Sequence, residues 1–457
     1  MLPRSVADYL HRHRDRHLAQ LCELLAIPSI ANVPDGACSA AAKWLAAHLE
    51  GLGLTADVVP SAGPPNVLAE FAGGGGRATL LVYGHYDVQP PDPLDAWETP
   101  PFHPQVRGGC LYARGVSDDK GQLFAHLMAI EAWQEAGGGL PVDLKVFIEG
   151  EEEIGSPHLE EFLVDHAGRL AADAAVISDS EFFADGVPSI TTALRGLAYV
   201  ELTVRGPSQD LHSGVHGGAV RNPANVLAAL VAALHDERGR VTIPGFYDDV
   251  LEPAAAEQAA WAQLPFNERD YAASLGVEAL TGGEEGRPVL QRRWSRPTLD
   301  CNGIVSGYTA PGAKTIIPAA ATAKLSARLV PRQEPDRVIA ALGEHLGRLC
   351  PAGVSLEMEV LSSSRPVLLA TDTPAMRAAQ AAVAEAFGRE PAFVRCGASV
   401  PVTEVIQRLL SLDAVMMGFG LPSDNLHGPN EHFRLDQLWR GSLASAAFMQ
   451  NLAAARR

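Results

Sequence analysis

No apolar run in the chain approaches the roughly 18 to 20 residues that a membrane-crossing helix needs, which excludes a transmembrane span. The cysteines (Cys22, Cys38, Cys110, Cys301, Cys350, Cys396) are scattered, and no Cys-x-x-Cys pair occurs. Neither a disulfide framework nor a zinc-thiolate site is expected from that spacing. Positive charge is also short, with 36 Lys and Arg against 54 Asp and Glu, a net charge of −18. Such a surplus argues against non-specific binding to nucleic acid or to an anionic membrane face. It fits a protein that needs carboxylates for metals or for solvation. The N-terminal stretch MLPRSVADYLHRHRDRHLAQL lacks an apolar signal core and reads as a charged amphipathic helix, so the cytoplasm is the expected compartment. Internal repeats are missing, and the one low-complexity run, Gly73–Gly76, reads as a turn. Cys396 and Ser399 have no Gly-x-Ser-x-Gly elbow around them, so nucleophilic serine or cysteine hydrolysis lacks support.

What is present is a globular chain of 457 residues, 47% apolar and 20% charged. At about 150 residues per domain it should form two or three packed units. Up to Leu194 helices and strands alternate. A helix over 39–53 is followed by strands at Thr79–Tyr83, Leu144–Ile148 and Ala174–Ile177, with a helix over 121–137 between the first two. Strands separated by helical periods suggest βαβ units and a buried, mostly parallel sheet. The pattern changes at Arg195-Gly196. Alternating strands at Tyr199–Arg205 and Ala323–Val330, a helix over 222–237, another within Pro335–Leu349 and a strand at Val354–Val360 suggest one sheet covered on one face. The segment 245–298 reads only as partly helical. From Thr371 the chain returns to an α/β pattern. The expected fold class is therefore α/β: a mixed, mostly parallel sheet with helices on both faces over 1–194 and 365–457, carrying an inserted α+β sandwich over 195–364.

Five segments place metal-type ligands after predicted strands or in loops: GHYDVQP, GVSDDKGQ, IEGEEEIGS, ISDSE and NLHGPNEHF. Taken singly each is ambiguous. His85-x-Asp87 also suits polar packing, Asp118-Asp119 also suits a helix N-cap, and an acidic run such as Glu151–Glu153 is often solvated surface. Asp179, Glu181, His427, Glu431 and His432 add to the set. Together they supply two histidines and several carboxylates at the same kind of strand end, the composition of a two-metal hydrolytic site. His126, His158 and His166 have no such context and read as packing or solvent-facing.

In order and spacing these motifs resemble the dinuclear metallopeptidases of the aminoacylase, carboxypeptidase G and carnosine dipeptidase family, with DVQP pointing to the branch of cytosolic nonspecific dipeptidase. The resemblance spans essentially the whole chain. It implies a catalytic domain and an inserted domain that acts as lid and dimerisation surface. It implies two divalent metal ions per subunit, zinc first with manganese or cobalt as alternatives. His85 and Asp179 then resemble the ligands of one ion, Glu153 and His427 those of the other, and Asp118 the bridge. Asp87 resembles the residue that orients His85, and Glu152 the general base that works with a metal-bridged hydroxide. In the inserted domain, DLHSGVHGG implies that His212 reaches the active site of a partner subunit in a homodimer. Thr315, Arg328 and Ser399 resemble substrate contacts. The family also implies a cis Asp118-Asp119 peptide. His216 departs from the residue that relatives often carry there. The implied reaction is amide hydrolysis in dipeptides or short peptides with a free C-terminal carboxylate. N-acyl amino acid deacylation or desuccinylation would use the same metal chemistry, and a catalytically silent metal-binding protein is the remote alternative.

Overall fold

The computed structural model describes residues 1–455 apart from Asp35, Gly75 and Ser399. Contacts divide the chain into two units, 1–192 with 369–394 and 400–457, and 193–368 with 395–399. The stretch 395–399, expected in the first unit, packs with the second instead.

In the first unit the sheet order runs Thr55–Val59, Asn66–Phe71, Asp143–Glu149, Thr79–His85, Ala174–Ile177, Asp413–Met416, Ser189–Leu194. Its centre is parallel: Thr79–His85 runs parallel to both its neighbours, and Asp413–Met416 runs parallel to Ala174–Ile177. Antiparallel pairings close either side. Leu80–Tyr83, Val146–Ile148 and Ala175–Ile177 are fully buried, as continuous apolar strands must be when both faces are covered. Tyr83 packs on Phe147, which stacks on Phe162 of the helix Leu159–Leu170. The next residue, Gly84, faces the start of the helix Lys120–Ala136, where a Cβ would meet Asp119 Oδ2 and Leu123 at 2.9 Å. Successive strand side chains point to opposite faces, so the two helices lie on opposite sides of the sheet. The expected N-terminal helix is two, Arg4–Arg12 and Arg14–Leu25, because His13 leaves the helical region at φ −103. No helix of the described residues is long and apolar enough to cross a membrane.

The second unit holds a four-stranded antiparallel sheet in the order Thr298–Ser306, Ala320–Leu329, Gly196–Arg205, Ser355–Ser364. Val200, Leu202, Val204 and Leu325 form a core with Leu227 and Leu230 of the helix Pro223–Ala232 and Leu342 and Leu346 of Pro335–Leu349. Asn222 caps the first helix by accepting the Ala224 N–H. That helix stops short of 237 because the Asp236 carboxylate accepts the amides of Arg238 and Arg240, a local turn that competes with helix. The strand Thr298–Ser306 escapes the sequence pattern because a bulge between Cys301 and Gly303 breaks its alternation. The segment 245–298 contains three short helices, Ala255–Trp261, Glu268–Ser274 and Val289–Trp294.

Candidate metal centre

Ligand-type side chains gather at the carboxyl ends of the parallel strands, where open α/β sheets place their sites. His85 ends its strand and is fully buried. Glu152 and Glu153 follow the strand Asp143–Glu149 in a single 3₁₀ turn, and Asp179 lies just past Ala174–Ile177. Asp118 precedes the helix Lys120–Ala136 across a cis Asp118-Asp119 peptide bond. His427 sits in a loop with φ 62.

Asp118 is the centre of the arrangement. Its Oδ1 lies 3.1 Å from His85 Nε2 and its Oδ2 lies 2.9 Å from His427 Nε2. His85 Nε2 is also 4.0 Å from Asp179 Oδ2, and His427 Nε2 is 3.3 Å from Glu153 Oε2. Potential ligand atoms fall into two groups, His85–Glu152–Asp179 and Asp118–Glu153–His427, each with all its atoms within 4.8 Å of one another. Glu152 therefore stands inside the first group, among the expected ligands rather than apart from them.

Electrostatics show why this donor set suits cations. Burial, and then the neighbouring Asp118 carboxylate, pushes Asp179 up to about 7. Burial and then Asp179 hold the Glu152 carboxyl well above the ordinary range. Hydrogen bonds to Asp118 and Glu153 raise His427 to about 10. Carboxylates crowded out of water repel one another and favour any positive charge that enters. Oxygen and imidazole donors around such a surplus fit two divalent ions.

The supporting contacts are equally specific. Asp87 accepts the amides of Glu152 at 3.2 Å and Glu153 at 3.0 Å, one on each carboxylate oxygen. The closest partner of His85 Nδ1 is the Asp87 backbone carbonyl at 3.1 Å, with the carboxylate at 3.4 Å. Asp87 thus ties His85 to the glutamate turn. Gln89, which the sequence reading passed over, donates to Glu153 Oε2 at 2.9 Å. Glu151 turns away from the cluster to His158 at 3.0 Å.

Two further residues carry the site and had gone unassigned. Arg114 and Glu431 form a fully buried pair at 2.8 Å. Glu431 accepts the amides of Gly115, Ser117 and Asp118, while Arg114 donates to the His427 carbonyl at 3.0 Å. This pair locks the Asp118 turn to the His427 loop. The acidic residue in PNEHF was visible in the sequence, but its distant partner was not.

In the second unit, the short strand Leu211–His212 pairs with Ile316–Ile317, next to Thr315, whose carbonyl accepts the Ser213 amide at 3.1 Å. His212 is exposed, and its Nδ1 accepts the Gly214 amide at 3.0 Å. His216 ends the short helix Ser213–His216 and is exposed. Arg328 lies in the strand Ala320–Leu329, flanked by Thr298 and Leu197. Ser399 falls outside the described residues.

Residues 81–451 match the model of peptidase family M20/M25/M40. The chain belongs to that family. It is 34% identical over 396 residues to the Cys-Gly metallodipeptidase of Schizosaccharomyces pombe, covering 85% of this chain and 83% of the relative. Among solved structures, human carnosine dipeptidase 1 superposes with a TM-score of 0.83 at 30% identity, covering 98% of each chain. A family M20 metallo-carboxypeptidase from Sulfolobus solfataricus gives a TM-score of 0.86 at 33% identity, covering 96% of this chain and 100% of that one. With that membership, the two groups are candidate metal sites of a metallopeptidase.

Proposed function

We propose that the protein is a metal-dependent dipeptidase that hydrolyses dipeptides or short peptides with a free C-terminal carboxylate. The observation that carries this reading is Asp118, whose two oxygens face two histidines belonging to separate ligand groups. His85 and Asp179 would hold one ion, Glu153 and His427 the other, with Asp118 shared. Divalent ions bound in such a pair polarise a carbonyl oxygen and lower the pKa of water towards about 7.

The rest is the work of the chain. Glu152 takes the proton of the attacking water and returns it to the leaving amine, a task suited to a carboxyl whose burial raises its proton affinity. Asp87 keeps His85 and the glutamate turn in register. Arg328, with Thr315 and Ser399, receives the peptide, and its guanidinium pairs with the free carboxylate through two N–H groups. His212 of a second copy donates to the developing carbonyl oxyanion. Because its Nδ1 already accepts the Gly214 amide, the neutral ring carries its proton on Nε2 and is a ready donor. This reading includes a homodimer, zinc as the first choice of ion with manganese or cobalt as alternatives, and a cytoplasmic location without nucleic-acid or membrane partners. The names of the S. pombe and human relatives support dipeptides as substrates.

The test is metal-stripped protein reloaded separately with zinc, manganese or cobalt and assayed on dipeptides, longer peptides, and N-acetyl and N-succinyl amino acids. Metal-dependent cleavage confined to dipeptides and short peptides is the expected result. Preference for N-acyl substrates would replace it with the deacylase alternative, and cleavage independent of metal would end it.

A further inference from the structure

The segment 245–298 packs onto the end of the strand Ala392–Cys396. Arg395, 6% exposed, is held by both oxygens of Glu257, with Nε to Oε1 at 2.8 Å and Nη2 to Oε2 at 2.7 Å. Its guanidinium also lies over the Trp261 ring at 5.3 Å, and Trp261 meets Trp294 edge-on at 5.2 Å. Both tryptophans are buried. A bidentate, ring-stacked arginine with so little solvent access has one available geometry.

Past Arg395, the chain is held by a second guanidinium. Arg195 Nε donates to the Gly397 carbonyl at 3.3 Å. A Cβ at residue 397 would sit 2.8 Å from Arg195 Nη2, so any other residue there would displace the guanidinium. Arg328 lies opposite Leu197 in the sheet, two residues along the chain from Arg195, so the two arginines are diagonal neighbours. Burial, then the positive charge of Arg328, lowers Arg195 to about 10. Contacts therefore run from Glu257 to Arg395 and from Gly397 to Arg195, which neighbours Arg328 in the sheet. All of these residues belong to the second unit.

We propose that the 245–298 segment is a positioning clamp: Glu257, through Arg395, sets the Cys396–Ala398 loop and with it the Arg195–Arg328 pair that recognises the substrate carboxylate. This rests on the reading that Arg328 takes that carboxylate. Glu257 and Arg395 are positioning residues and touch no substrate.

The experiment compares metal-loaded wild type, Glu257→Gln, Glu257→Ala and Arg328→Gln on a dipeptide and on the same dipeptide amidated at its C-terminus. A clamp that slips by about an ångström raises KM for the free dipeptide on the order of 10- to 100-fold in both Glu257 variants, with kcat little changed. The amide, which lacks the carboxylate, shows no such penalty. A merely structural contact would lower activity on both substrates alike, and that result would overturn the clamp. If Arg328→Gln raises KM while neither Glu257 variant does, the clamp fails and the carboxylate reading survives. If Arg328→Gln leaves KM unchanged, the reading fails and the clamp falls with it. Should the alanine variant not fold, the nearly isosteric glutamine variant decides between these outcomes.

Discussion

The helix Lys120–Ala136 has a histidine–carboxylate cluster at each end, and the two differ in charge balance. Near its C-terminus, Glu131 accepts from Tyr9 Oη at 2.7 Å, meets His17 Nε2 at 3.2 Å and pairs with Arg16. Burial works to raise this carboxyl, but the hydrogen bonds from His17, Tyr9 and Arg16 outweigh it and hold it at about 2. Just ahead of the N-terminus, hydrogen bonds from His427 and His85 outweigh burial and hold Asp118 low, while burial and then the Asp118 charge push Asp179 up to about 7. Both combine carboxylates with imidazoles. What differs is whether the chain supplies enough donors of its own. Glu131 forms a closed cluster that locks N-terminal helices to the core, whereas the strand-end cluster is short of positive charge, a balance that suits it to take up cations. A buried ion cluster is thus read as structural or as a ligand site from its charge balance.

The comparison breaks most visibly at the glutamate turn. Glu152→Gln keeps the shape and removes the proton carrier, so turnover should fall by roughly 100- to 10,000-fold. Both ions should remain, because the residues assigned as ligands are intact. Glu153→Gln replaces an anionic ligand with a neutral one and should make activity depend on added metal. Elemental analysis beside dipeptidase rates separates the two. Metal loss in Glu152→Gln with retention in Glu153→Gln would shift the register of the run by one and make Glu152 a ligand, as its place in the His85–Asp179 group allows.

A smaller effect is expected at Arg114, which holds the open cluster without belonging to it. Arg114→Gln leaves Glu431 buried without its cation, a change that typically costs about 3–5 kcal/mol. Burial already places Glu431 at about 7 against the pull of Arg114, so the carboxyl can take a proton and the lower end of that range applies. Loosening the Asp118 turn and the His427 loop should weaken metal binding by about 10- to 100-fold. Chelator competition with a thermal melt measures both. Unchanged metal affinity would mean that the two loops keep their places without the pair.

The candidate ligands other than His427 were legible because each lies within a few positions of an apolar strand or at a turn into a helix, and such signals are local. The resemblance set Glu152 and Glu153 apart from Glu151, whose carboxylate meets His158 at 3.0 Å. Arg114 and Glu431 were not legible as a pair, since 317 positions separate them. His126, read as packing, is a core histidine held between Ser445 and Ser178 at 2.7 Å each. The 245–298 segment resisted assignment because its short helices owe their order to Trp261, Trp294 and Arg395 rather than to any periodicity. Its partner stretch 395–399 likewise joined the second unit through contacts that no local pattern announces.

The closed cluster supplies the mildest and sharpest contrast, through pH. A carboxyl whose folded pKa is depressed stabilises the fold fully above its unfolded value, here 4.5, and loses that contribution as pH falls through about 2. Tyr9, Arg16 and His17 are the groups that face Glu131, and none of them needs an added ion. Glu131→Gln should therefore be less stable than wild type at pH 7 by a margin that holds down to about pH 5 and then narrows with further acidification. Adding or removing metal should leave that margin unchanged. Denaturant midpoints of both proteins across pH 3–7, with and without chelator, read it directly. A margin that stayed constant into the acid range would deny that an ionised Glu131 is what the N-terminal helices grip. A margin that moved with metal would join the two ends of the helix into one electrostatic system and remove the distinction drawn between them.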